Sequence, residues 1–215
     1  MKKLKFFGIC AFLAAFLCSC SSKDAVVDLK APLSVEEPSA QGTTVYIADV
    51  TDNRIFTGAN NKYSTPSGTV LSKDYTKRAY ARMKTATGQL GGGILLPKGK
   101  TVESVVRATI EQAFSDCGYN VVKDPALADE SAIIAAVSIR KFWAWCNEEK
   151  VNIVINADIV LDIYTQTQDG QKHFMLKNTQ QRQALTDTKA QYRQATEDSL
   201  SNIYYLATQK IKAAL

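Results

Sequence analysis

The chain has 215 residues, of which 26 are lysine or arginine and 21 are aspartate or glutamate, so its formal net charge is +5. Three of the lysines lie within the first five positions, which leaves 23 basic and 21 acidic residues in the rest of the chain. This near balance of positive and negative charges does not indicate a nucleic-acid-binding protein. The length of the chain predicts one folded domain.

The N-terminal end has the pattern of an export signal. Three lysines without an acidic residue precede an apolar run from Phe6 to Leu17. At about 1.5 Å per residue these twelve residues span roughly 18 Å, well short of a hydrocarbon core of about 30 Å. We therefore predict a signal peptide over residues 1–19 rather than a permanent transmembrane helix.

The end of this signal, Leu17-Cys18-Ser19-Cys20, resembles the lipobox of bacterial lipoproteins. The resemblance implies that Cys20 becomes the mature N-terminus and carries covalent diacylglycerol and an N-acyl chain, with no other cofactor. The alternative is an ordinary secretory signal that happens to contain cysteines. Ser21 replaces the aspartate that retains such proteins at the inner membrane, which favours the outer membrane, facing the periplasm. In a Gram-positive cell the same anchor would lie on the outer face of the plasma membrane.

The mature chain begins with a polar stretch. Residues 20–43 contain two prolines and several serines, which predicts a flexible tether before a single α+β domain at 44–215. A short strand is predicted at 45–50. Residues 57–100 are mixed in composition, and we expect a long loop there with a short helix around Tyr75–Lys84.

The second half of the chain shows regular periodicity. Apolar residues recur at helical spacing after Thr101, a plausible N-cap, and this helix stops at Gly118. Alternating strands follow at 132–142, 151–164 and 171–183, with a hairpin turn at Gln168-Asp169-Gly170, and a last helix covers 193–214. The predicted fold class is therefore α+β, a two-layer domain in which two helices cover one face of an antiparallel sheet.

Several short motifs together resemble the YajG-type family of bacterial lipoproteins. They are the lipobox, the early strand that ends in Asp52-Asn53-Arg54, the helix end Cys117-Gly118-Tyr119-Asn120-Val121-Val122 and the alternating strand at 151–164. The resemblance covers about residues 44–214 and implies a fold and an envelope location. It implies no catalytic residues.

The sequence offers little for catalysis. His173 is the one histidine, and no motif marks a nucleophile and an acid beside it, so a surface or strand-edge histidine is expected. Asp158 and Asp162 are expected to be solvated on one strand face. Gly99-Lys100-Thr101 precedes a helix as a phosphate-binding loop does, but the first glycine of that motif is missing, so no nucleotide is expected. No metal-ligand cluster is present.

Three further groups of residues are candidates for a site or a structural role. Asp52 and Arg54 could form a structural turn or a ligand motif. Phe142, Trp143 and Trp145 could complete the core or form a partner surface, since tryptophan is favoured in both. Cys117 and Cys146 could form a disulfide in an oxidising compartment, or remain two buried thiols.

These observations favour a non-enzymatic lipoprotein that is bound to a membrane through its lipid and to an envelope protein through its folded domain. The alternative is a lipid-handling or transport-accessory lipoprotein, similar to the auxiliary components of ABC-type lipid transporters, with an apolar groove near Trp143 and Trp145. A third hypothesis, an envelope hydrolase, requires a hidden site around His173.

Overall fold

A computed structural model describes residues 24–32, 42–56, 73–84, 90–147, 153–184 and 188–215. The predicted signal peptide and Cys20 lie outside the described residues. The strands are β1 (Ala25–Val26), β2 (Thr44–Asp52), β3 (Ala79–Lys84), β4 (Leu90–Leu95), β5 (Asn120–Val122), β6 (Ile133–Cys146), β7 (Ile153–Thr167) and β8 (Gly170–Ala184). The helices are α1 (Lys73–Arg78), α2 (Val102–Asp116), α3 (Lys189–Ala214) and a 3₁₀ turn at Pro125–Leu127.

All eight strands belong to one mixed sheet that is built around β6. On one side of β6 lie β7 and then β8, both joined by antiparallel pairing. On its other side β6 pairs in parallel with β2 along its first half and with β3 near its end. Parallel β5 extends the β2 side, while antiparallel β4 and then β1 extend the β3 side.

The predicted fold class was therefore wrong. In the part of the chain that the structure describes, the sheet is mixed and has eight strands, and three helices accompany it, instead of an antiparallel sheet with two helices. Alternation along β6, β7 and β8 correctly indicated antiparallel neighbours, but it holds no information about how distant segments join the same sheet. The parallel strands β2 and β3 reach β6 only through long crossovers, which local periodicity does not detect.

The two long helices pack on one face of the sheet and on each other. As predicted, Thr101 caps α2: its hydroxyl accepts from the Ser104 N–H at 3.1 Å, and Gly118 follows the helix with φ of 89°. Between helices and sheet lies the main core, which includes Val45, Ile47, Ile94, Val106, Ile110, Phe114, Ile139, Phe142, Ile159, Leu161, Leu200 and Ile203.

A second, smaller cluster lies on the opposite face of the sheet. Trp143 points away from the main core, because its neighbours on β6, Phe142 and Ala144, both point into it. Tyr75 of α1 packs on Trp143 together with Ala79 and Leu95 of the adjoining strands, so α1 covers this part of the face.

Parts of the predicted loop and tether have regular structure. Within 57–100, the described residues form α1, β3 and β4 instead of an open loop, and the helix ends at Arg78 rather than near Lys84. Within 20–43, Ala25–Val26 forms β1 and Leu29 enters the main core. The division into signal, tether and domain stays a prediction.

Candidate functional site

The N-terminal segment 24–32 is bound along the folded domain. The Asp24 carboxylate accepts a hydrogen bond from the Gly93 N–H at 2.7 Å, and the Val27 N–H donates to the Leu95 carbonyl at 2.9 Å. Leu29 is 6% exposed in the main core, and the Lys30 N–H donates to Glu197 of α3 at 2.9 Å. These contacts fix the chain only four residues after Cys20, a stretch that can span at most about 14 Å.

This segment marks one end of the sheet. Ala25 pairs with Ile94 of β4, and Ile94 pairs with Ala81 of β3. Ala81 pairs with Ala144 of β6, and Ala144 pairs with Ala157 of β7, so these residues lie in one row across the sheet. From Ala157, β7 continues for ten residues to Thr167 at the hairpin, which corresponds to about 33 Å. A lipid on Cys20 would therefore hold the end near Asp24, with the β7–β8 hairpin about 30 Å further along the sheet.

Asp52 and Arg54 form a closed structural unit. The Arg54 side chain is 1% exposed, and its Nε and Nη2 donate to the two Asp52 oxygens at 2.8 and 2.7 Å. Its other N–H groups donate to the carbonyls of Ala79 (2.6 Å), Phe142 (3.2 Å) and Thr76 (2.7 Å). All five donors of the guanidinium are thus engaged, which favours the structural turn over the ligand motif.

A cavity of about 210 Å³ adjoins this unit and is lined by Asp52, Arg54, Phe56, Thr76, Lys77 and Glu103. Arg54 lies 5.2 Å from the centre of the Phe56 ring, and Glu103 accepts from the Asp52 N–H at 3.3 Å. Asp52, Arg54 and Glu103 in its wall therefore already take part in hydrogen bonds within the protein, and Arg54 offers no donor to a ligand.

The aromatic residues Phe142, Trp143 and Trp145 are packed inside the protein. Phe142 is fully buried in the main core, Trp143 is 3% exposed in the second cluster, and Trp145 packs partly buried against that cluster. The hypothesis of a partner surface at these residues does not fit their burial. The alternative, that they complete the core, does.

No bond joins Cys117 to Cys146, and both thiols are buried. The Cys117 thiol lies 3.5 Å from the Thr208 carbonyl of α3. Cys146 pairs with Ile155 of β7, Ile155 pairs with Arg182 of β8, and Arg182 forms an ion pair with Asp198 of α3. Ten residues of helix, about 15 Å, separate Asp198 from Thr208. A disulfide requires Cα atoms within about 7 Å, so the candidate bridge between this pair does not fit the fold.

A network of polar side chains lies on the sheet face opposite α2 and α3, which we call the open face. Asp162 of β7 is 2% exposed; its carboxylate binds Arg140 Nε of β6 and lies 3.1 Å from His173 Nε2 of β8. The Tyr164 ring stacks on His173 with centroids 4.6 Å apart. The prediction of a solvated Asp162 was wrong, because flanking side chains on both neighbouring strands cover it.

Ser138, Asp162 and His173 do not have the arrangement of a catalytic triad. His173 lies on an edge strand of the described sheet, as predicted, with its side chain 48% exposed. The nearest hydroxyl in register with Asp162 is that of Ser138, two strands and roughly 10 Å from His173. Asp162 stands between them, so the histidine has no contact with that hydroxyl as a general base requires.

Among the described residues, no group of three His, Cys, Asp or Glu side chains is placed to hold a metal ion. No helix in the described ranges is both long and apolar enough to cross a bilayer.

Comparison with known proteins gives remote likenesses. No family model matches the chain, and no curated protein matches it either. The fold is similar to that of protein XCC0632 from Xanthomonas campestris, of the family model DUF330, with 13% identity, TM-score 0.47 and coverage of 90% of this chain and 94% of that one. An uncharacterised protein has 10% identity, TM-score 0.48 and coverage of 88% and 99%.

A minor lipoprotein from Acinetobacter baumannii has 11% identity and TM-score 0.37, with coverage of 50% of this chain and 83% of that one. With TM-scores below 0.5 and such low identities, these likenesses carry no argument about family or function.

Proposed function

We propose that this protein is a lipid-anchored lipoprotein of the bacterial cell envelope, held at the outer membrane and facing the periplasm, whose folded domain binds another protein. It has no enzymatic activity in this proposal. The observation that carries it is the binding of residues 24–32 along the sheet, which begins four residues after the lipobox cysteine.

The bound segment gives the anchor a mechanical consequence. A flexible tether would let the domain move tens of ångströms from the bilayer, whereas four residues allow at most about 14 Å. The domain is then held with one end at the membrane and the β7–β8 hairpin directed away from it. Such a fixed presentation suits a protein that positions a partner.

Two groups of polar residues, Asp52 with Arg54 and Asp162 with His173, support a protein without enzymatic activity. Arg54 uses every donor inside the protein, and His173 contacts Asp162 while the Ser138 hydroxyl lies on the far side of that carboxylate. The lipid-handling alternative required an apolar groove at Trp143 and Trp145. Tyr75, Ala79 and Leu95 fill that position, which is why we favour a protein partner.

The test begins with the anchor. Cells that express the full-length chain are labelled with an alkyne analogue of palmitate, and membranes are separated on a sucrose gradient. We expect label in the outer-membrane fraction and none in a Cys20→Ala variant, whose export is followed separately. Label-free, soluble wild-type protein would contradict the proposal.

The partner is then sought by crosslinking in intact cells, followed by mass spectrometry of both proteins and lipids. One reproducible protein partner supports the binding function. Stoichiometric phospholipid without a protein partner would favour lipid handling instead.

A further inference from the structure

A β-bulge brings two cations to the same side of the sheet. The β6–β7 register shifts between Ile139 and Lys141, so two residues of β6 share one position of β7. Ile139 and Phe142 are buried in the main core, while Arg140 and Lys141 between them are both exposed, with side chains 62% and 61% accessible. Without the bulge, one of these two side chains would point into the core.

A third cation completes the group. Lys141 is opposite Val160 on β7, and Val160 is opposite Lys177 on β8. At about 4.8 Å per strand, the Cα atoms of the two lysines are roughly 10 Å apart, close enough for both long side chains to reach an anion above Val160. Lys177 is exposed and forms no ion pair with another described residue. We call Arg140, Lys141 and Lys177 the cationic site.

Arg140 is held in place from below. Asp162, with its side chain 3% exposed, binds Arg140 Nε, and Tyr164 also hydrogen-bonds the Arg140 side chain, which is 62% exposed. This buried carboxylate orients the guanidinium before any ligand arrives, which lowers the entropy cost of binding a carboxylate in the two-pronged manner that arginine favours.

Exposed apolar side chains adjoin the cationic site on the open face. Met175 is 55% exposed beside Asp162, and Tyr164 is 36% exposed one position further along the same strands. Tyrosine, methionine and arginine are the residue types enriched in protein interfaces. The open face thus combines an oriented guanidinium with apolar contact area.

We propose that the open face binds an acidic segment of the partner protein, whose carboxylate lies over Val160 between Arg140, Lys141 and Lys177. This inference rests on the proposed function and names the chemistry of its partner. A second copy of this chain would present the same site, in which only Lys177 lacks an ion-pair partner among the described residues, so two such sites supply no carboxylate to each other. An anionic bilayer selects net positive charge, whereas Asp158 and Asp162 neutralise two of these cations, so geometry rather than net charge must select the ligand.

The test uses the full-length lipidated protein in detergent and two fluorescent peptides, one of alternating glutamate and threonine, the other with glutamine in place of glutamate. Fluorescence anisotropy should show binding of the glutamate peptide that weakens as salt rises. The glutamine peptide should bind at least tenfold more weakly.

Two variants locate the site, and a third variant is a matched control. Arg140→Gln should weaken the glutamate peptide at least tenfold, and Lys177→Gln, which disturbs no ion pair among the described residues, at least threefold. Lys98→Gln removes the same charge from the exposed turn that precedes α2 and should leave the affinity unchanged.

Three results would overturn the proposal. The first is equal affinity for the two peptides, or no binding of either. The second is binding to vesicles that contain one third phosphatidylglycerol, lost in the same variants, which would assign the site to lipid. The third is a concentration-dependent dimer that Arg140→Gln and Lys177→Gln dissociate. Because peptide binding does not require the lipid, failure here is distinct from failure of the palmitate labelling.

Discussion

Arg54 is buried two residues after the carboxylate that neutralises it, Asp52, and the two side chains share two hydrogen bonds. The guanidinium also binds carbonyls of α1, β3 and β6, which lie 22, 25 and 88 residues from Arg54 along the chain. This pair therefore joins the end of β2 to the part of the sheet that carries β3, β4 and β1.

Removal of Asp52 should be strongly destabilising, because it leaves a buried guanidinium without its counter-charge. We expect Asp52→Ala to lower the free energy of unfolding by about 3–5 kcal/mol, measured by urea denaturation. The control is Asp198→Ala, which removes the partner of Arg182 from a pair whose side chains are 34% and 37% exposed, at a cost of under about 1 kcal/mol. Equal decreases in the free energy of unfolding in the two variants would mean that burial of the Asp52–Arg54 pair does not add to its effect on stability.

Gly93 leaves room for the ring of Tyr75. A Cβ at this position would overlap the Tyr75 hydroxyl and lie 2.9 Å from Cζ, and Tyr75 is itself buried against Trp143. Gly93→Ala should therefore cost about 1–3 kcal/mol of stability, as overpacking does. In a Tyr75→Ala background the same substitution should cost clearly less, since the overlap is gone. Additive losses would show that the two positions do not interact.

Binding of the N-terminal segment depends on Leu29. Leu29 is 6% exposed within the main core, whereas Val26, three residues earlier, is 60% exposed. Leu29→Ala should lower the free energy of unfolding by about 2–4 kcal/mol and Val26→Ala by less than about 0.5 kcal/mol. Limited proteolysis should then cut the Leu29→Ala variant before residue 42 first. An unchanged stability would indicate that the segment binds too weakly to fix the domain near its anchor.

Tyr80 should make the protein sensitive to alkali. Burial is the main cause that raises the pKa of Tyr80 above its ordinary 10.0, and the nearby Glu197 carboxylate adds to it. Above about pH 10 the unfolded chain releases this proton and the folded protein retains it. Stability is therefore intact below that pH and falls by about 1.4 kcal/mol per pH unit above it for each such group.

Urea unfolding at pH 9, 10 and 11 measures this slope. Tyr80→Phe should have a shallower slope by about one proton, although it is less stable at pH 9, because the hydroxyl donates to the Val27 carbonyl at 3.2 Å. Identical slopes in the two proteins would mean that Tyr80 ionises as readily in the folded state as in the unfolded one.

Local sequence patterns predicted the elements whose stabilising contacts are local. Thr101 and Gly118 bound α2, and alternation along 151–164 gave β7. The strands β3 and β4 were not predicted, because Gly91-Gly92-Gly93 has no strand propensity and is ordered by pairing with β3 and by contact with Tyr75. The same holds for β1, which at two residues exists only through its pairing with β4.

By itself, the sequence determined the lipobox pattern, the two ends of α2 and the three long strands, since each of these depends on residues only a few positions apart. Only the tertiary structure decided that the sheet is mixed, that every donor of Arg54 is engaged, and that Asp162 is buried beneath Arg140 and His173. These features join segments that are tens of residues apart, and strand register fixes which side chains meet. No local pattern records that register.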